Sequence, residues 1–279
     1  FNPNNFAPKA LPGSCHVFRP YGPGTTQFIN LQGICNGGLP QYVAQFNGQN
    51  SYINTTLYKN VTSSGWTEAV WVNVKGTSTG WCGGGHSNVA LNDRGPGSGN
   101  SLTIGTSPST SSGFGFFFGY DTNGVGDFAS TYQTYQYNNW YFLVGTYSSS
   151  YGFSLYVNGQ KVAYYLNSGS YGPGPSCTST TLPSTFLSQY PWIIGYEQAW
   201  SNYFNGSIAN VQIYNTSLSA NGIQALYQEG IGGAPIDLQH LVAWYPLNGD
   251  ANDYSGNGNN GVPINAKFVS NWWNGYTPP

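Results

Sequence analysis

Three glutamates, Glu68, Glu197 and Glu229, are the first candidates for chemistry, because general acid–base catalysis needs a carboxylate with a partner. Two acids two residues apart on a strand would point the same way and converge on one bond. None of the three is followed by an acid at that offset, so a paired-carboxylate hydrolase is not expected. Glu68 lies in the run WTEAVWV and reads as a structural residue rather than a lone cleft acid. His86 and Asp93 flank Ser87 in GGGHSNVALNDRG, but no GxSxG elbow presents the serine. No catalytic residue is predicted.

Oxygen donors for a hard cation are denser. Asp250, Asn252, Asp253 and Asn257 crowd the stretch NGDANDYSGNGNNG, and calcium accepts such ligands with loose geometry. The same residues are ordinary turn formers, bonding their own backbone. The turn is the favoured reading and calcium the alternative. Trp81, Trp192 and Trp200 sit in loop-like surroundings and are the candidates for stacking on a sugar face, whereas Trp66, Trp71, Trp140 and Trp244 read as core. Glycosylation sequons begin at Asn54, Asn60, Asn205 and Asn215, a pattern that a chain so rich in Asn, Ser and Thr also produces by chance.

The elements that must hold these residues are β-strands. With 39 Gly, 17 Pro, 23 Tyr, 15 Phe and 9 Trp in 279 residues, short strands joined by tight turns are expected. YVAQFNGQNSYINTTLY, WTEAVWVNVK, SLTIGT, GFGFFFGY, NWYFLVGTYS and FSLYVNGQKVAYYL follow one another between turn residues, the mark of a sandwich. Both alternating sets of WTEAVWVNVK are apolar, as in a central strand covered on both faces. In FSLYVNG only Phe153, Leu155 and Val157 form an apolar set, so its other face is expected to meet solvent. Asn158-Gly159 marks a two-residue hairpin, SSSYG at 148–152 a longer one. One helix is expected in LSANGIQALYQEGIGG, capped by Ser219 and stopped by Gly230. Residues 1–39, rich in Pro, Gly and Asn, read as an irregular extension.

Charged residues make up 6% of the chain and the formal net charge is −2, against roughly a quarter charged in an ordinary domain. No basic stripe serves a phosphate backbone, and no eighteen-residue apolar run spans a bilayer. Full protonation of carboxylates and histidines moves the formal charge only from −2 to +10, so an acidic habitat is expected to be well tolerated. Cys15, Cys35, Cys82 and Cys177 show no CxxC spacing and read as disulfides of an oxidising compartment. Of the three pairings, Cys15–Cys35 with Cys82–Cys177 is preferred because the first two share one Pro/Gly-rich segment. Phe1 opens the chain without a basic-then-apolar leader, as a mature end would.

FNGQNSYI (46–53), WTEAVWVNV (66–74), WYFLVGTY (140–147), LYVNGQKV (155–162) and above all FNGSIANVQIYNTSLSANGIQALYQEG (204–230) resemble the laminin-G-like, concanavalin A-like jelly-roll domains of secreted and surface proteins. The resemblance covers roughly 40–262 and implies an all-β sandwich of two antiparallel sheets, a common home of lectins, adhesins and some glycan hydrolases. It also implies a calcium near 250–257 helped by an acid around 207–212, where this chain has Ala209 and Asn210. In typical members a stretch like LVAWYPLNGDANDYSGNGNNG comes first; here, at 241–261, it comes last.

The division expected is therefore an extension over 1–39, a sandwich over 40–235, and a segment over 236–279 that completes a sheet in its own chain or in a neighbour. A completed neighbour would make a homopolymer, since a head-to-tail contact that does not close gives a filament. The expected function is a non-enzymatic structural or adhesive protein of the cell surface, with a monomeric glycan-binding module as the alternative.

Overall fold

The computed structural model describes residues 16–21, 25–30, 39–58, 61–62, 65–76, 87–93, 100–106, 113–122, 125–131, 133–150, 152–162, 164–168, 185–186, 190–198 and 201–279. All four cysteines, and with them the expected disulfides, lie outside these residues. Two strands near the start, β1 (His16–Tyr21) and β2 (Thr25–Asn30), pair as a separate antiparallel ribbon where irregular chain was expected. Their aromatic and β-branched residues, Val17, Phe18, Thr26, Phe28 and Ile29, outweigh the flanking Pro and Gly.

Then follow β3 (Val43–Asn47), β4 (Tyr52–Thr55), β5 (Val61–Thr62), β6 (Trp66–Val74), β7 (Ser87–Asn92), β8 (Asn100–Thr106), β9 (Phe116–Thr122), β10 (Val125–Thr131), β11 (Trp140–Ser148) and β12 (Gly152–Val157). The second half adds β13 (Gln160–Lys161), β14 (Tyr164–Ser168), β15 (Thr185–Phe186), β16 (Ile193–Ile194), β17 (Tyr196–Glu197), β18 (Asn202–Tyr203), β19 (Asn205–Tyr214), α1 (Ala220–Gln228), β20 (Leu241–Tyr245), β21 (Gly261–Ile264) and β22 (Lys267–Val269). The back sheet has the order β14-β10-β9-β8-β7-β16-β4-β21, and the front sheet β13-β12-β11-β6-β19-β3-β22 with β20 also against β19. This is the two-sheet antiparallel jelly roll that the resemblance implied.

The sheets meet across Phe46, Val70, Val72, Leu91, Ile104, Phe118, Leu143, Leu155, Ile208 and Ile213, all buried. Phe118 and Gly145 fix their approach, for a Cβ on Gly145 would lie 2.1 Å from Phe118 Cγ. Every residue of β6 is buried, as the doubled apolar pattern predicts. Its Ala69 and Trp71 face outward under α1, in a second cluster with Phe142, Ile223 and Leu226. The Asn158-Gly159 turn has φ of +50° and +76°, and Val157 pairs with Gln160 across it. The longer hairpin pairs Ser148 with Gly152.

One expectation fails on β12. Ser154 and Tyr156 are buried rather than solvated, because the helix side of the front sheet takes in Tyr156 with Phe142 and Leu226. The helix itself matches its signals: Ser219 accepts from the Gly222 N–H and Gly230 follows with φ of +75°.

The late segment takes its place in both sheets. Along one edge of β19, β3 pairs with Asn205–Ile208 and β20 with Val211–Tyr214, so the first and last parts of the sandwich lie end to end on one strand. β21 then pairs with β4 in the back sheet and β22 with β3 in the front sheet. No helix among the described residues is long and apolar enough to cross a membrane.

Candidate functional site

Cross-strand register places a polar row on the outer face of the front sheet. Ser207 of β19 stands opposite Asn73 of β6 on one side and Gln45 of β3 on the other, and Gln45 stands opposite Lys267 of β22. Directly opposed residues share a face. Alternation sets that face: Val72, Ile208, Ala44 and Phe46 turn into the sandwich, so Asn73, Ser207 and Gln45 turn out. Next to Asn73 on β11 is Trp140, which begins the apolar cover continued by Trp71 and α1. The polar row lies where that cover stops.

The C-terminal residues wall this row into a pocket of about 340 Å³ lined by Gln45, Asn73, Lys75, Asn138, Ser207, Val269, Asn271, Trp272 and Asn274. Several bonds hold the wall. Trp140 N–H donates to the Gly275 carbonyl at 2.9 Å, Trp140 Nε1 to the Trp272 carbonyl at 3.0 Å, and Trp272 Nε1 to the Pro40 carbonyl at 3.0 Å. Asn73 Nδ2 donates to the Asn274 carbonyl at 3.3 Å, but Asn73 Oδ1 is buried without a donor. A buried acceptor left so costs about 1–3 kcal/mol. Lys75 is exposed at the rim and has no ion-pair partner among the described residues. Trp273, half exposed, stacks at a tilt on Trp272 with ring centroids 4.6 Å apart.

Amides, a hydroxyl, one ammonium and an indole supply paired donors and acceptors beside an aromatic surface. That set suits a polyhydroxylated ligand, and among the described residues no Asp or Glu lines the pocket. The carboxylates lie elsewhere. Glu68 is sealed in the sandwich and neither of its oxygens has a hydrogen-bond partner. Burial first, and then the buried Asp93 carboxyl, hold Glu68 well above the usual carboxylate range, with the neighbouring Trp66 indole opposing them. Glu197 is buried and accepts from Asn202 Nδ2 at 2.9 Å, and Glu229 is exposed beyond the helix. His86 is outside the described residues.

The predicted site residues are scattered by comparison. Trp192 is fully buried, correcting its assignment as a ligand platform: its backbone pairs with Thr55 and Leu57, and its ring stacks on Trp66 at 5.3 Å. Loop-like sequence there hides a strand connection inside the back sheet. Trp81 and Trp200 lie outside the described residues, as does Asn60. Asn54 is exposed on β4; Asn205 and Asn215 are half buried, Asn205 against Gly48 and Gly76.

Asp250, Asn252, Asp253 and Asn257 share one loop, and among the described residues no group of three or more His, Cys, Asp or Glu is gathered there. Asp253 Oδ1 accepts the N–H groups of Trp244 and Ser255, and Oδ2 those of Asn259, backbone and side chain. Asp250 accepts from the Asn252 N–H and the Tyr254 hydroxyl, while Asn257 Nδ2 donates to the Leu241 and Val242 carbonyls. These bonds tie the loop to its own backbone and to that of β20. Asn210 is a structural pin at positive φ, accepting from Trp244 Nε1 and donating to the Gly233 carbonyl. Asn73, Lys75, Ser207 and Gln45 escaped sequence reasoning because their proximity depends on register across three strands. The one local hint was Asn73, a polar residue set between Val72 and Val74 of the central strand.

No curated protein sequence matches the chain. Among solved structures, a Bacteroides ovatus protein provisionally assigned to carbohydrate binding is similar at a TM-score of 0.54 and 18% identity, over 82% of this chain and 60% of that one. The native heptameric SAP-like pentraxin of Limulus polyphemus is similar at a TM-score of 0.51 and 12% identity, over 84% of this chain and 97% of its own. Such identities speak for the fold alone, and the chain spans 60% of the length of the Bacteroides protein. Residues 47–224 match the sequence profile of the concanavalin A-like lectin/glucanases superfamily, and with the two-sheet jelly roll and its register this places the chain in that family.

Proposed function

We propose that this chain is a non-enzymatic glycan-binding module whose pocket on the front sheet takes a sugar carrying an acidic group. The observation that carries the reading is the lining: amide and hydroxyl groups from β3, β6, β19, the turn at Asn138 and the C-terminal residues, with Lys75 as the charge and no carboxylate among the described residues. Lys267 at the end of the same row adds a second cation to a surface that has few. A planar carboxylate on a sugar ring would meet that charge while the hydroxyls bond the amides, the mixture by which small-molecule sites set orientation. The similar fold of a carbohydrate-binding candidate from Bacteroides ovatus agrees with the reading. An extracellular or cell-surface location fits a binder of this kind. The test is an array of neutral and acidic oligosaccharides, with titration of the best binder. Binding of an acidic glycan that Lys75→Ala and Asn73→Ala each weaken supports the reading; binding by none of the array rejects it.

One observation favours an additional structural role. The segment carrying β20, β21 and β22 fills edge positions in both sheets and joins the body only through irregular chain at 231–240. Exchange of that segment between subunits would build the filament or adhesive array, with binding sites repeated along it.

A further inference from the structure

At the far end of β19 from the first pocket lies a second cavity, of about 370 Å³, lined by Leu57, Tyr58, Asn215, Gln239, Leu241, Val242, Asn257 and Asn259. Its floor is apolar: Leu57, Leu241 and Val242 are buried. Its rim is made of amides, and among the described residues no charged side chain lines it. Tyr58 stands 63% exposed, one of few large apolar side chains left so open among the described residues. Asn215 Oδ1 is buried there without a donor, although the Asn215 backbone is held by its N–H bond to the His240 carbonyl. Tyr58 and Gln239 make no side-chain hydrogen bond within the described protein. By contrast the neighbouring loop is closed on itself, Asn259 Nδ2 donating to the Val242 carbonyl and to Asp253. The rim is therefore rigid on one side and uncommitted on the other.

An exposed phenol ring, an apolar floor and uncommitted amides in a cavity within the usual range of about 300–1,000 Å³ are what a neutral sugar requires. We infer that the cavity beside Tyr58 and Asn215 is a second glycan-binding site, selective for uncharged sugars. The inference rests on reading the chain as a glycan binder, but on different residues. Ser207 lines the first pocket and Asn215 the second, eight residues apart along and just beyond β19, so the chain between them spans no more than about 26 Å. Two sites so spaced and opposite in charge preference let one molecule bridge an acidic glycan and a neutral one. Asn215 also opens a sequon, and a covalent glycan there would occupy the same cavity; the test therefore uses protein from a host that adds no N-glycan.

The experiment is an array of neutral and acidic oligosaccharides probed with wild-type protein, Tyr58→Ala, Asn215→Ala, and Asn73→Ala, followed by titration of the strongest neutral binder. Tyr58 is exposed and Asn215 lacks a side-chain bond at Oδ1, so neither change removes a core contact; equal thermal midpoints check this. The expected result is a neutral ligand whose affinity falls about tenfold in Tyr58→Ala and Asn215→Ala and is unchanged in Asn73→Ala. If acidic glycans bind and neutral ones do not, the second site is rejected while the first stands. If neutral binding survives both substitutions, the site lies elsewhere and the inference fails. If neutral binding follows Tyr58 while no acidic glycan binds, the second site stands and the reading of the first pocket falls.

Discussion

Glu68 carries a carboxyl into the sandwich where neither oxygen finds a donor. Its folded-state pKa lies above the unfolded value of 4.5, first through burial and then through Asp93. Below that value the group is protonated in both states and subtracts nothing; as pH rises past it the unfolded chain ionises while the folded chain keeps its proton, and stability falls until the folded pKa is reached. Thermal midpoints are therefore expected to be higher at pH 5 than at pH 8, and Glu68→Gln should flatten that fall and raise the midpoint at pH 8. An unchanged slope in Glu68→Gln would place the dependence elsewhere. The other residue on which much depends is Asn73. Asn73→Ala removes one bond to the Asn274 carbonyl and one orphaned acceptor together, so stability should move by less than ~1 kcal/mol while glycan affinity falls about tenfold. The sequence allowed Glu68 to be read as structural, since an acid without a partner two residues on cannot do paired chemistry. It could not show that Asn73, Ser207 and Gln45 meet, because one residue of slippage in any strand would turn that side chain to the opposite face.

At the scale of elements, α1 and the C-terminal residues share the work of covering the front sheet. Both ends of that cover have a single weak link. Ser219→Ala removes the helix cap and should cost about 0.5–2 kcal/mol, read from denaturant midpoints, without altering the pocket. Gly275→Ala acts at the other end. Gly275 has φ of +79°, and a Cβ there would lie 1.9 Å from the Asn138 carbonyl oxygen, so the tail that carries Trp272 and Asn274 must move. Glycan binding should weaken in Gly275→Ala although every side chain lining the pocket is retained; full affinity would show that the tail is not part of the site. The helix, its cap and its stop were legible because they are local signals. Trp192 was misread for the opposite reason: short strands such as β16, two residues long, carry no periodicity, and only pairing with β4 and β7 reveals them.

For the whole molecule the order of segments matters most. β3 and β20 share one edge of β19, and the closing strands then divide between the two sheets. Deleting 236–279 removes Trp244, Tyr245 and Leu247 from the interior and leaves β4 and the second half of β19 unpaired along one edge. A chain that closes its own sheets is expected to unfold on this deletion; a body that stays folded while polymers vanish would instead mark subunit exchange, and light scattering with circular dichroism separates the two. The jelly roll was readable from strand spacing and the motif block at 204–230, whereas the use of the last 44 residues was not, because pairing within a chain and between chains involves the same hydrogen bonds. The proposed activity rests on the amide-lined pocket of the front sheet. It is tested most directly by two-dimensional amide and indole NMR during titration with an acidic oligosaccharide. The account predicts saturable shifts of the Asn73, Asn271 and Asn274 side-chain amides and the Trp272 indole, all lost in Lys75→Ala; shifts confined to other residues, or none, would contradict it.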